Sequence, residues 1–167
     1  MTDDAPTGAE LHGPVHRDGD GYVIDIGVNE TAHIVNLVDQ LRSLLTEPAD
    51  DPDARELLVR LFPVAYPDDD EMEAEYQRLM RDELVQSKLA AFDIIDDALA
   101  GDEPIDEGQL VAVMQSINSV RLVLGNVLDV SDDPAIDEVD EALETSPEYE
   151  LYSYLSWLLE WCVTALS

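Results

Sequence analysis

The chain changes its hydrophobic period near residue 28. Before that point "LHGPVHRDGDGYVIDIG" alternates apolar and polar residues around a Gly/Asp-rich turn, and Val23, Ile24 and Ile26 predict strand, together a small hairpin. From Asn29 onward Ile34, Leu37, Val38, Leu41, Leu44 and Leu45 recur at threes and fours. That spacing predicts an amphipathic helix with Asn29 as its N-cap, stopping before Pro48. "DDPDARELLVRLF" predicts a short helix with Pro52 in its first turn, and "FPVAYP" breaks it.

After the acidic run "DDDE", which suits the positive end of a helix, Met72, Tyr76, Leu79 and Met80 begin a further apolar stripe. Leu84, Val85, Leu89, Phe92, Ile95 and Leu99 continue it, either as one long helix or as a second helix capped by Asp82. Asp106 followed by Gln109 has the form of a capping box. Behind it Leu110, Val113, Met114, Ile117, Val120, Leu124 and Val127 carry the next helix. "SDDPAIDEVDEALE" offers Asp133 as cap, Pro134 in the first turn, and a narrow stripe that predicts a surface helix. The last segment starts with Ser146 and Pro147 and is apolar almost all round, so it is either central in the bundle or shared with a second subunit. The pattern predicts a mainly α fold: a single-domain bundle of about six helices over residues 11–167, with a small N-terminal β-hairpin and a disordered acidic tail at 1–10.

Composition changes this picture in one respect. The chain has 167 residues, with 46% apolar residues and 28% charged, enough for a real core. Its 8 Lys and Arg face 39 Asp and Glu, a net charge of −31. Such a surface repels phosphate backbones and anionic lipid, because nucleic-acid binding begins with cations displacing counterions. A basic protein partner fits the charge, as does adaptation to a salty cytoplasm. The N-terminal residues lack the basic and apolar regions of a secretion signal, no stretch is apolar enough to span a bilayer, and one cysteine agrees with a reducing compartment. A cytoplasmic protein is expected.

The acidic stretches do not assemble into a metal motif. "DGDGYVIDIGVNE" starts like a calcium loop at Asp18 and Asp20, but Tyr22 stands at the third acidic position. Glu30 and His33 have the E-x-x-H spacing of di-iron bundles, with no second such pair. His12 and His16 are four apart across Gly13 and Pro14, which forbid the helix that would aim both at one ion. Glu138, Glu141 and Glu144 are best read as a solvated helix face. No Gly-rich phosphate cradle occurs, and nothing supports a thiol nucleophile at Cys162, which falls on the leucine stripe of the last helix as a small buried hydrophobe. No catalytic residue, cofactor or metal is expected.

Arg121 is the only Lys or Arg after Lys88, and it is set in the apolar stretch "INSVRLVLGN". Ile117 and Leu124 place it on or beside the buried stripe, with Asn118 one turn back. An interior arginine needs partners for its fork of donors. Either it ties its helix to a carboxylate on a neighbour, which is the favoured expectation, or it binds an anionic ligand in a cleft.

Four segments together resemble a known family. They carry Pro63, Ala65, Tyr66, Asp68 and Asp69; Asp82, Glu83, Leu84, Lys88 and Leu89; Asn118, Arg121, Leu122, Val123, Leu124 and Gly125; and Tyr152, Leu155, Ser156, Trp157 and Leu158. Over roughly residues 57–128 and 146–166 the chain resembles the actinobacterial family catalogued as domain of unknown function 2017, part of which is known as the oxidative-stress transcriptional regulator AosR. The resemblance implies a cytosolic, mostly helical protein in stress-linked transcription, acting with a sigma factor. The paired-cysteine switch of those regulators does not carry over to a chain with Cys162 alone.

Lys88 and Arg121, with Asp82 and Glu83, fall inside these shared segments, so a cluster of Arg121, Asn118, Lys88, Asp82 and Glu83 is expected to form around one ion pair. Tyr154, Trp157 and Trp161 make one side of the last helix, either an interface for a partner or a homodimer, or plain core. The function expected is a non-enzymatic regulatory or interaction protein whose acidic surface meets a basic partner, a sigma factor or RNA polymerase, without direct nucleic-acid or membrane contact. The alternative is a small-ligand or metal-dependent enzyme using carboxylates around Arg121.

Overall fold

The computed structural model describes residues 13–46, 52, 61–62, 64–101, 103–128 and 146–167. They form a two-stranded antiparallel hairpin, β1 (Val15–Asp18) and β2 (Gly21–Ile24), and four helices: α1 (Val28–Thr46), α2 (Asp70–Ala100), α3 (Glu107–Val127) and α4 (Pro147–Leu166). The fold is mainly α, as the periodicity predicts. The tail at 1–10 lies outside the described residues, as do the surface helix predicted after Asp133 and nearly all of the segment predicted as a short helix after Pro52.

The calcium-like "DGDG" is the hairpin turn. Gly19, at φ 62°, takes the left-handed conformation that lets Asp18 pair with Gly21 across two residues. Tyr22 turns inward and is almost fully buried. Its backbone exchanges two 2.8 Å hydrogen bonds with Ile105, so the hairpin is docked onto the connection between α2 and α3.

Helix ends follow local chemistry. Asp69 Oδ1 accepts from Met72 N at 3.1 Å and opens α2. The capping box is reciprocal: Gln109 N donates to Asp106 Oδ1 at 2.7 Å, and Asp106 N donates to Gln109 Oε1 at 2.9 Å. Ser146 Oγ accepts from Tyr149 N at 3.2 Å ahead of Pro147. At α1 the expected cap is displaced: Gly27 O accepts the first helical bond, from Thr31, and Asn29 lies inside the first turn. The open question at Asp82 resolves as one uninterrupted helix of 31 residues. An aspartate in a helix interior costs only tenths of a kcal/mol, too little to break a helix whose apolar stripe continues.

The core is layered around α3, which packs against α2, α4, α1 and β2. Leu110, Val113 and Ile117 of α3 meet Phe92 and Ile95 of α2, Leu155, Leu158 and Cys162 of α4, and Ile34 and Val38 of α1. Ser116 and Ser119 are also buried, each donating its hydroxyl to the carbonyl four residues earlier, so neither leaves an unpaired polar group in the core. The all-round apolar α4 is therefore not the centre. It flanks α3 and keeps Trp157 and Val163 exposed.

Candidate functional site

Arg121 projects from the flank of α3 and is half-buried. Its Nε and Nη2 donate to Asn118 Oδ1 at 3.3 and 3.0 Å, and Nη1 approaches the Tyr152 hydroxyl at 3.5 Å. The guanidinium carbon stands 5.7 Å from the centre of the Tyr152 ring. Asn118 thus holds the guanidinium from within α3, and the reach to α4 is to the hydroxyl and ring of Tyr152, which a weakly hydrated, planar cation accepts readily.

The expected ion pair with Asp82 or Glu83 is absent. Among the described residues neither Arg121 nor Lys88 takes part in a salt bridge. Asp82 and Glu83 are exposed on α2. They precede Lys88 by six and five residues, which at 100° per residue turns them about 120–140° away around the helix. Of the five expected members, the structure joins Arg121 to Asn118 and sets Lys88 in the wall of the same cleft as Asn118.

That cleft lies between α2 and α3 and encloses about 220 Å³. Lys88, Asn118, Ser87 and Gln115 supply its polar wall, and Leu84 and Phe92 are among its apolar residues. Burial holds the Lys88 ammonium below the ordinary lysine range.

The aromatic row on α4 is continuous but faces two ways. Tyr154 and Trp157 have ring centres 5.7 Å apart, and Trp157 and Trp161 6.4 Å. Trp161 packs on the core and over Gly13, whose missing Cβ would sit 2.6 Å from the indole. Tyr154 is partly buried; burial and the nearby Glu30 raise its phenol pKa. Trp157 alone of the three is open to solvent, at 45% exposure. Cys162 is fully buried, and burial pushes its thiol up to about 11.

A second exposed apolar surface was not singled out from the sequence. Tyr66, Met72, Tyr76, Leu79 and Met80 line an open groove of about 260 Å³ along the first half of α2, with Leu79 64% exposed. Glu73 shapes its upper end: Oε2 accepts from Ala65 N at 3.0 Å and Tyr66 N at 2.7 Å, and Oε1 accepts from Gln77 at 2.8 Å. Those bonds hold the Glu73 carboxyl below its ordinary range, with Gln77 the largest cause. The stripe at Met72, Tyr76, Leu79 and Met80 was legible; that it stays uncovered was not.

The model of the domain of unknown function 2017, DUF2017, matches residues 12–166. The chain belongs to the DUF2017 family. No curated protein and no solved structure matches it significantly. All four DUF2017-like segments quoted above reach the regions just described: the Tyr66 turn, the Lys88 stretch of α2, the Asn118–Arg121 turn of α3 and the Tyr152–Trp157 stretch of α4. Among the described residues of this DUF2017 protein no helix is long and apolar enough to cross a membrane.

Proposed function

We propose that this DUF2017 protein is a non-enzymatic regulatory module that docks a basic protein segment, of the kind a sigma factor or RNA polymerase presents, in stress-linked transcription. The observation that supports it most is the uncovered groove on the first half of α2. Its apolar floor of Met72, Tyr76, Leu79 and Met80 is interleaved with Asp69, Asp70, Glu71, Glu75, Asp82 and Glu83. An amphipathic helix with apolar anchors on one face and Lys or Arg on its flanks complements both features. The net charge of −31 accelerates capture of such a segment and opposes direct contact with nucleic acid. Trp157, exposed on α4, offers a separate contact for a homodimer. The enzyme alternative needs carboxylates around Arg121, where the hydrogen-bond partners are Asn118 and Tyr152.

Calorimetric titration with purified sigma factors and core RNA polymerase tests the proposal, using Met72→Glu/Leu79→Glu to block the groove. Binding should weaken as KCl rises and fall about tenfold or more in the double variant. Absence of binding to all of these proteins, or binding indifferent to the double variant, overturns it.

A further inference from the structure

Lys88 is the chain's only lysine, in a molecule with 39 acids, and it pairs with none of the described ones. Among the described cations Arg42 meets three carboxylates and Arg78 one, while Arg17, Arg81 and Arg121 each lie against an aromatic ring. Lys88 instead sits half-buried in a cleft whose described lining residues include no Asp or Glu. A half-buried ammonium with no acid beside it among the described residues gains from a ligand that supplies negative charge.

Asn118 completes the polar end. Its Oδ1 is occupied by Nε and Nη2 of Arg121, which leaves Nδ2 as the amide's unused hydrogen-bonding group. Arg121 therefore orients Asn118 as a donor, and the cleft offers an ammonium and an amide N–H₂, with Ser87 also in its lining. Leu61, Leu84, Phe92 and Leu122 form the apolar remainder. The enclosed volume of about 220 Å³ lies below the range of drug-sized sites and suits a compact molecule.

We propose that the cleft between α2 and α3 binds a small monocarboxylate with a short apolar body, its carboxylate held by Lys88 and Asn118. One ammonium neutralises one negative charge. The second charge of a phosphate dianion would remain uncompensated in the field of a strongly acidic protein. The site is separate from the groove on the first half of α2 and stands whether or not that groove docks a partner.

The test is an NMR titration of the full chain, at constant ionic strength, with acetate, butyrate, benzoate and inorganic phosphate, and KCl as the control. Butyrate or benzoate should saturate in the millimolar range or below, more tightly than acetate, with the largest shifts at Lys88 and the Asn118 side-chain amide. Lys88→Gln should weaken binding about tenfold or more. Asn118→Asp keeps the acceptor for Arg121 but turns the donor into a second anion, so it should abolish binding while the melting temperature holds or rises. Phosphate binding more tightly than the carboxylates overturns the monocarboxylate assignment. Shifts that do not saturate, or that persist unchanged in both variants, overturn the site.

Discussion

Arg42 Nη2 on α1 lies 2.9 Å from Asp96 Oδ2 on α2, and the same guanidinium reaches Asp93 at 3.2 Å and Asp39 at 2.6 Å. One cation holds three acids from two helices, and the other oxygen of Asp96 is buried without a partner among the described residues. Removing the cation leaves three like charges facing one another beside that buried oxygen. Arg42→Met should therefore destabilise the fold by about 1–3 kcal/mol, discounted toward the low end because the pair is partly exposed. Urea unfolding at low and high KCl checks it: the deficit should shrink as salt screens the acids. A deficit independent of salt contradicts the electrostatic account.

Gly13 stands at φ 77° with the Trp161 indole against its missing side chain. Gly13→Ala adds a methyl group where both the backbone conformation and the ring oppose it. The expected cost is about 1–3 kcal/mol, with loss of the near-ultraviolet dichroism of an immobilised tryptophan. Gly19→Ala has the same backbone penalty but open space around it, so its cost should be smaller and its aromatic signal unchanged.

Cys162 links stability to alkaline pH. Its thiol stays protonated in the fold to about 11, against an ordinary value of 9.0. Its folded value is raised, so its contribution is fully present below pH 9.0 and lost as pH rises toward about 11, because the unfolded chain releases the proton first. Cys162→Ala should remove that share of the alkaline decline in unfolding free energy. Labelling of the thiol by a disulfide reagent at neutral pH should proceed at the rate of unfolding, and fast labelling of native protein would contradict the burial.

Glu73 works in the opposite direction. Its carboxylate gathers Ala65 N, Tyr66 N and Gln77, and its folded value lies below the ordinary 4.5. That stabilisation is complete above pH 4.5 and fades as pH falls through the depressed value. Protection of the Ala65 and Tyr66 amides, relative to their intrinsic exchange rates at each pH, should fall as acidification passes through the depressed value, and Glu73→Gln should show lower protection already at neutral pH.

Much of this was legible because it is local. Helix stripes, the Asp106–Gln109 box, the Ser146–Pro147 start and the "DGDG" turn each depend on residues within four positions of one another. The cap of α1 was misplaced by two residues, since Gly27 and Asn29 are both acceptable at a helix start and the backbone path from the hairpin selects between them. Asn118 was expected on the same flank as Arg121, and the structure makes it the hydrogen-bond partner. The acidic partner expected for Arg121 was not found, because α2 turns Asp82 and Glu83 toward solvent. The Arg42 cluster was missed for a related reason: only the Asp39 pair is visible at helical spacing, while Asp93 and Asp96 are more than fifty residues distant.

The order of residues by itself determined the helical class, the hairpin and the caps of α3 and α4, through rotamer, hydrogen-bond and period rules that act within one or two turns. Tertiary structure alone decided that α3 rather than α4 is central, that Trp161 is covered while Trp157 is open, and which acids each cation meets. In a chain with 39 acids nearly every cation has many possible partners at no local cost, and only the rotation and crossing of packed helices selects among them.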